Sequence, residues 1–165
     1  MLDMKFLHDG IGAFLRLATV TAFIFVGHLL LSGTALSATY GQQVVAGVLM
    51  GEAEGEGIKG MYAVAEVIKK RCELKQLSPL AIVKEPKQFS CLNNITPPQL
   101  IRKHWRKKSW SQALFIARIL YNHPQKLTNY TKGATHYATF TPYWAKNKKP
   151  TIIIGRHIFW DLKRI

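Results

Sequence analysis

The sequence predicts a mainly helical α+β domain with a small β element near its C-terminus. Three observations carry that expectation. Between Gly41 and Tyr121, apolar residues recur at helical spacing in several separate blocks. The later blocks are each preceded by a serine or threonine suited to start a helix. Beyond Leu127 the pattern gives way to polar and small residues, then to two short runs of β-branched and aromatic residues.

Taken in order, the first helix is expected over GQQVVAGVLMGEA, with Val45, Val48, Leu49 and Glu52 at i, i+3, i+4 and i+7. Gly51, Gly55 and Gly57 are expected to end it, because glycine favours left-handed and broken turns. A second helix follows from about Gly60 to Cys72, with Val64, Val67, Ile68 and Arg71 along one stripe. Ser78-Pro79 reads as an N-cap with proline at the first helical position, opening a short helix through Val83. Thr96-Pro97-Pro98-Gln99 repeats that signal with a capping-box glutamine and opens a helix towards Trp105. Ser109 and Gln112 form another such pair. The long helix after them has Trp110, Ala113, Leu114, Ala117 and Tyr121 as its buried stripe, and Asn122-His123-Pro124 stops it. From Thr128 to Pro150 the chain suits loops with short extended pieces. Thr151–Ile154 and His157–Trp160 then read as two strands around Gly155-Arg156. No internal repeat or interdomain linker is present.

The 165 residues fit one domain plus a leader. Lys5 and Arg16 precede the uncharged run LATVTAFIFVGHLLL, Leu17 to Leu31, and mostly small residues follow to Ala38. That order describes a secretory signal peptide over residues 1–38, cleaved after Ser37 or Ala38. The alternative is an uncleaved membrane anchor, although the run is short of the roughly 20 residues a spanning helix needs. Residues 39–165 are then the exported domain, in the periplasm or cell wall.

Residues 1–38 hold two acids and two bases, so the net charge of +14 belongs to the remainder. Such a charge favours polyanionic partners and says nothing about fold. Outside the cytoplasm these are anionic wall polymers or membrane surfaces, and nucleic acid is not expected. The densest basic run, Arg102 to Lys108, reads as such a surface or as a solvated helix face with a connecting loop. A monomer is expected. The only two cysteines, Cys72 and Cys91, would close a loop worth about 3 kcal/mol if bonded, or remain separate buried thiols.

Against this basic background, GEAEGEG places Glu52, Glu54 and Glu56 in one glycine-broken turn. Glu52 continues the apolar stripe of its helix and ends it. Partial desolvation and the negative end of the helix dipole would both raise its pKa, as a general acid near neutral pH requires. Glu54 is rotated off the stripe and suits a solvated loop. Glu56 lies beyond Gly55, where the chain can fold back towards the same cleft.

With KQFSC, GATHYA and IGRHIFW downstream, the segment GEAEGEGIKGMYAVAEVIKKR resembles the cell wall hydrolase family typified by the spore cortex-lytic enzyme SleB and its relative CwlJ. The resemblance spans about Val44 to Trp160, with the motifs in the family's order. It implies a lysozyme-like catalytic core that cuts peptidoglycan glycan strands, with Glu52 as catalytic acid and base of a lytic transglycosylase. The family's asparagine-arginine pair is Lys70-Arg71 here. One acid suffices for that route, whereas an ordinary glycosidase needs two carboxylates, a role Glu56 would fill. Neither cofactor nor metal is implied.

Matched positions also suggest substrate contacts. Gln88, Phe89 and Ser90 would form a cleft wall holding N-acetyl or hydroxyl groups. Thr135, His136 and Tyr137 would orient the glycan, and Trp144 or Tyr143 would supply an aromatic platform. His136 reads equally as a satisfied core histidine, and Tyr137 and Trp144 as packing. His157 and Trp160 read as strand and core residues. Two rival functions remain. One is an amidase cutting the peptide stem, which usually needs zinc, with His136 and His157 as ligands; the other is a non-enzymatic basic binding module.

Overall fold

The computed structural model describes residues 37–162, so the apolar run Leu17–Leu31 lies outside the described residues. Among the described residues, no helix is long and apolar enough to cross a membrane. From Ala38 onward the chain forms one compact unit, mainly helical with a small sheet.

Helix α1, Tyr40–Ala53, starts at a capping box: the Gln42 N–H donates to Thr39 Oγ1 (3.3 Å) and the Thr39 N–H to Gln42 Oε1 (3.0 Å). Four helices touch it: α2 (Gly57–Lys75), α3 (Pro79–Lys84), α4 (Pro97–His104) and α5 (Trp110–Asn122). Val44, Val45, Ala46, Val48 and Leu49 are all fully buried. Helix α1 is therefore apolar all round, as a central core helix is, and the expected single stripe is only part of its buried surface.

Several local expectations are corrected. Gly51 does not end α1, which runs on to Ala53 and passes through a 3₁₀ turn, Glu54–Glu56. The break falls at Gly57, whose φ of 67° is left-handed, and α2 begins there. Ser78 caps α3 as expected, its Oγ accepting from the Ala81 N–H at 3.3 Å. At α4 the Thr96 N–H donates to Gln99 Oε1 (2.7 Å), so that pairing also forms. The Ser109–Gln112 box does not form. Ser109 is already helical (φ −75°, ψ −7°), because the chain enters α5 through a turn in which the Trp110 N–H donates to the Lys107 carbonyl. The buried face of α5 is Ala113, Ile116, Ala117 and Leu120, rotated from the expected stripe, with Trp110, Leu114 and Tyr121 half-buried.

Three short strands form an antiparallel sheet in the order β1-β3-β2: β1 His136–Ala138, β2 Ile152–Ile154 and β3 His157–Trp160. The β2–β3 pair was legible, whereas β1 lies within the stretch expected to be mostly loop. His136 opposes Trp160 and Tyr137 opposes Phe159. Phe159 and Ile154 pack with Ala63, Val67 and Ala134 in a second small core against α2. Cys72 and Cys91 are unbonded. Cys91 packs on Gly51, while Cys72 lies in a depression with Pro79, Leu120 and Tyr121. Burial pushes the Cys72 thiol up to about 11, and the Cys91 thiol higher still.

Candidate active site

Glu52 leaves the C-terminal turn of α1 half-exposed, and three donors converge on its carboxylate. Ser90 Oγ and the Cys91 N–H both donate to Oε1 at 2.9 Å, and the Tyr137 hydroxyl donates to Oε2 at 3.0 Å. The first two come from a 3₁₀ turn, Ser90–Leu92, anchored by the buried ring of Phe89. The third comes from β1. Gly51 makes the first pair possible: a Cβ there would lie 2.6 Å from the Cβ of Cys91. Its glycine is thus explained by close approach of the Cys91 turn.

The acid borders an open groove of about 350 Å³, whose lining includes Arg71, Gln88, Ser90, Tyr137 and His157. Burial and the neighbouring Glu52 push the Tyr137 hydroxyl well above its ordinary range, so it keeps its proton and remains a donor. Arg71, only 4% exposed, sits beneath the groove. Its Nε donates to the Thr135 carbonyl and its Nη1 to Gln88 Oε1, both at 2.9 Å, and the guanidinium lies 5.5 Å from the centre of the Phe89 ring.

Two groove residues, Arg71 and His157, are not among the expected glycan contacts. Arg71 was expected only as one member of the α2 stripe, yet a charge in register with Val64, Val67 and Ile68 is the same signal that marked Glu52. His157 is expected as a strand residue, and as a zinc ligand only on the amidase reading. It is buried, but it also lines the groove, with its ring edge-on to Tyr137 (5.2 Å between centres) and its Nδ1 without a hydrogen-bond partner. Burial lowers its pKa and keeps it neutral. The parity of β3, which puts His157 on the face of Phe159 opposite Tyr137, is the signal that would have found it.

Other expected site residues lie elsewhere. Thr135 is fully buried: its N–H donates to the Trp160 carbonyl (2.9 Å) and its Oγ1 accepts from the Leu162 N–H (3.0 Å). It supports Arg71 and does not reach the groove. His136 and Tyr137 are neighbours in a strand, so they point to opposite faces. His136 packs against Trp144 (5.3 Å between ring centres), and its Nδ1 lies 2.9 Å from Thr135 Oγ1. Burial, with a smaller push from Arg71, lowers its pKa to about 4. Trp144 stacks edge-on against Trp160, and Tyr143 beside it is almost wholly exposed. None of these lines the Glu52 groove.

Glu56 is held by Arg156: Nε donates to Oε1 at 2.9 Å and the backbone N–H to Oε2 at 3.1 Å. The Arg156 hydrogen bonds hold its carboxyl below the usual range. It staples the β2–β3 turn, where a Cβ on Gly155 would overlap Glu56 Oε2, and it does not line the groove. Glu54 pairs with Lys107. The three glutamates of one turn thus share no partner: Glu52 takes Ser90, Cys91 and Tyr137, Glu54 takes Lys107 and Glu56 takes Arg156.

Two further depressions lie away from Glu52. One is lined by Cys72, Pro79, Leu120 and Tyr121. The other contains Glu66, whose carboxylate is spent holding the loop at Thr128–Thr131 through hydrogen bonds of 2.8–3.3 Å. His136 and His157 face opposite sides of the sheet. Among the described residues, no three His, Cys, Asp or Glu side chains are grouped to hold a metal ion.

A family model described as Cell Wall Hydrolase matches residues 55–160. That segment holds every groove residue named above except Glu52, which lies three positions before it. Neither a curated protein nor a solved structure matches the chain.

Proposed function

Because the chain belongs to the cell wall hydrolase family and so degrades peptidoglycan, we propose that it cuts the glycan bond between N-acetylmuramic acid and N-acetylglucosamine as a lytic transglycosylase. Glu52 is the single acid and base. One observation carries this reading: among the described residues lining the groove, Glu52 is the sole carboxylate. A mechanism needing a second groove acid lacks one, since Glu56 is committed to Arg156.

The three donors assign the two oxygens. Oε1 faces a backbone N–H, which cannot accept, so in the acid form the proton sits on Oε2 beside the Tyr137 hydroxyl. Oε2–H protonates the bridging oxygen as the bond to muramic C1 breaks, and the muramic acetamido group stabilises the developing positive charge. The Glu52 carboxylate then takes the proton of the muramic C6 hydroxyl, whose oxygen closes on C1. The 1,6-anhydro sugar forms, and Glu52 ends protonated, ready for the next strand. Since nucleophile and electrophile share one sugar, the closing step has a large effective-molarity advantage over attack by water.

This substrate lies outside the cytoplasm. The composition of residues 1–38 agrees with export, as a cleaved signal or a retained anchor. The lysozyme-like core implied by the resemblance belongs to the same reading. Replacing Glu52 by Gln tests it: clearing of purified sacculi is expected to fall by about a thousandfold with the fold retained, in the range for loss of a general acid. Retention of most activity contradicts it.

A further inference from the structure

We infer that Arg71 and Gln88 build a carbonyl-binding subsite beside Glu52, in which the Gln88 amide N–H donates to the acetamido oxygen of an N-acetylated sugar. The inference rests on the glycan-cleaving reading and names the substrate group that one part of the groove selects.

The polarity of the subsite follows from donor and acceptor chemistry. A guanidinium has five donors and no acceptor. Arg71 Nη1 lies 2.9 Å from the Gln88 amide, so the amide can turn only its oxygen towards it. The flipped amide would set donor against donor. Arg71 cannot move away to allow the flip, because its Nε is held by the Thr135 carbonyl and its face rests over Phe89. It is also buried, so its charge stays beneath the groove while the half-exposed Gln88 faces it. Gln88 Nε2 has no acceptor among the described residues and is not sealed from solvent. What the groove offers at this point is therefore a fixed neutral donor.

A neutral donor suits a carbonyl oxygen. On a de-N-acetylated sugar the same place is taken by an ammonium, which brings donors and positive charge towards a donor standing on a buried cation. The subsite thus favours N-acetylated strands over deacetylated ones. Gln88 touches the sugar, while Arg71 is a positioning residue that fixes which end of the amide is presented.

The test is a binding measurement in the Glu52→Gln protein, so that no cleavage intervenes. Isothermal titration compares a hexamer of N-acetylglucosamine with its fully de-N-acetylated counterpart. The acetylated hexamer is expected to bind about tenfold tighter, and both Gln88→Glu and Gln88→Met to weaken it about tenfold, the equivalent of one lost hydrogen bond. Gln88→Glu keeps a partner for Arg71 and so preserves the fold; a thermal melt checks both variants. Arg71→Met, where it folds, frees the amide to turn and narrows the preference for the acetylated ligand. Equal binding of the two hexamers, or undiminished binding of the acetylated one by both Gln88 variants, overturns the subsite and leaves the glycan-cleaving reading standing. Binding of neither hexamer overturns both.

Discussion

Glu52 receives three hydrogen bonds from three different kinds of donor, and they do not carry equal weight. Tyr137→Phe removes the only donor on Oε2 among the described residues, the oxygen assigned the transferable proton. Its kcat is expected to fall about tenfold with KM little changed, the scale of one hydrogen bond to a charged group. Ser90→Ala is expected to cost less, because the Cys91 N–H still holds Oε1. Glu56→Gln is expected to keep most of the activity, since its carboxylate serves the Arg156 turn; a loss as large as that of Glu52→Gln would make it a second catalytic acid. At this scale the catalytic candidate was legible because a charge in register with buried apolar residues is rare without a task. Arg71 carried the same signal. Glu56 and His136 were not legible, because spacing along the chain does not say that Arg156 or Trp144 waits nearby.

The elements bring these residues together by close approach. Helix α1 meets the Ser90–Leu92 turn at Gly51, and Gly51→Ala places a Cβ 2.6 Å from that of Cys91. Because the obstacle is the base of a side chain on a packed turn, the turn must shift. A loss of about 1–3 kcal/mol in a denaturant melt is expected, typical of overpacking, together with a fall in kcat as Ser90 and the Cys91 N–H leave Glu52. Unchanged stability and activity in Gly51→Ala would show that the turn yields without consequence. The same residue was not legible at the element scale: a glycine near the end of a helical pattern suggests a stop, whereas this one gives room to a turn about 40 residues on. Strand β1 shows a second cause: Thr135, His136 and Tyr137 are all expected on one ligand, but alternation turns His136 to the opposite face. Thr135 is buried in hydrogen bonds to Trp160 and Leu162, so of the three only Tyr137 reaches Glu52. Helix starts with proline and a capping residue, at Ser78 and Thr96, were legible because their hydrogen bonds are local. Ser109 failed because a preceding turn had already set the backbone.

For the whole molecule, helical class and C-terminal sheet were legible from periodicity alone, whereas the long-range assembly of the groove from α1, α2, the Ser90 turn and the sheet was not. The folded domain holds three histidines, His104, His136 and His157, that burial keeps neutral. For His136 the unfolded chain takes up a proton near 6.5, while the folded protein does so only near 4. As pH falls through that window the unfolded state binds more protons, so stability declines, and it levels off for this group below about 4. The melting temperature of His136→Gln should therefore depend less steeply on pH across that interval than that of the parent protein; parallel curves would contradict the assignment. The central claim concerns chemistry, and product analysis reaches it most directly. Purified sacculi are digested with the protein and the released muropeptides are weighed by mass spectrometry. Muramic ends in the 1,6-anhydro form, absent after digestion with Glu52→Gln, are the predicted result. Reducing muramic ends, or stem peptides freed from intact glycan strands, would contradict it.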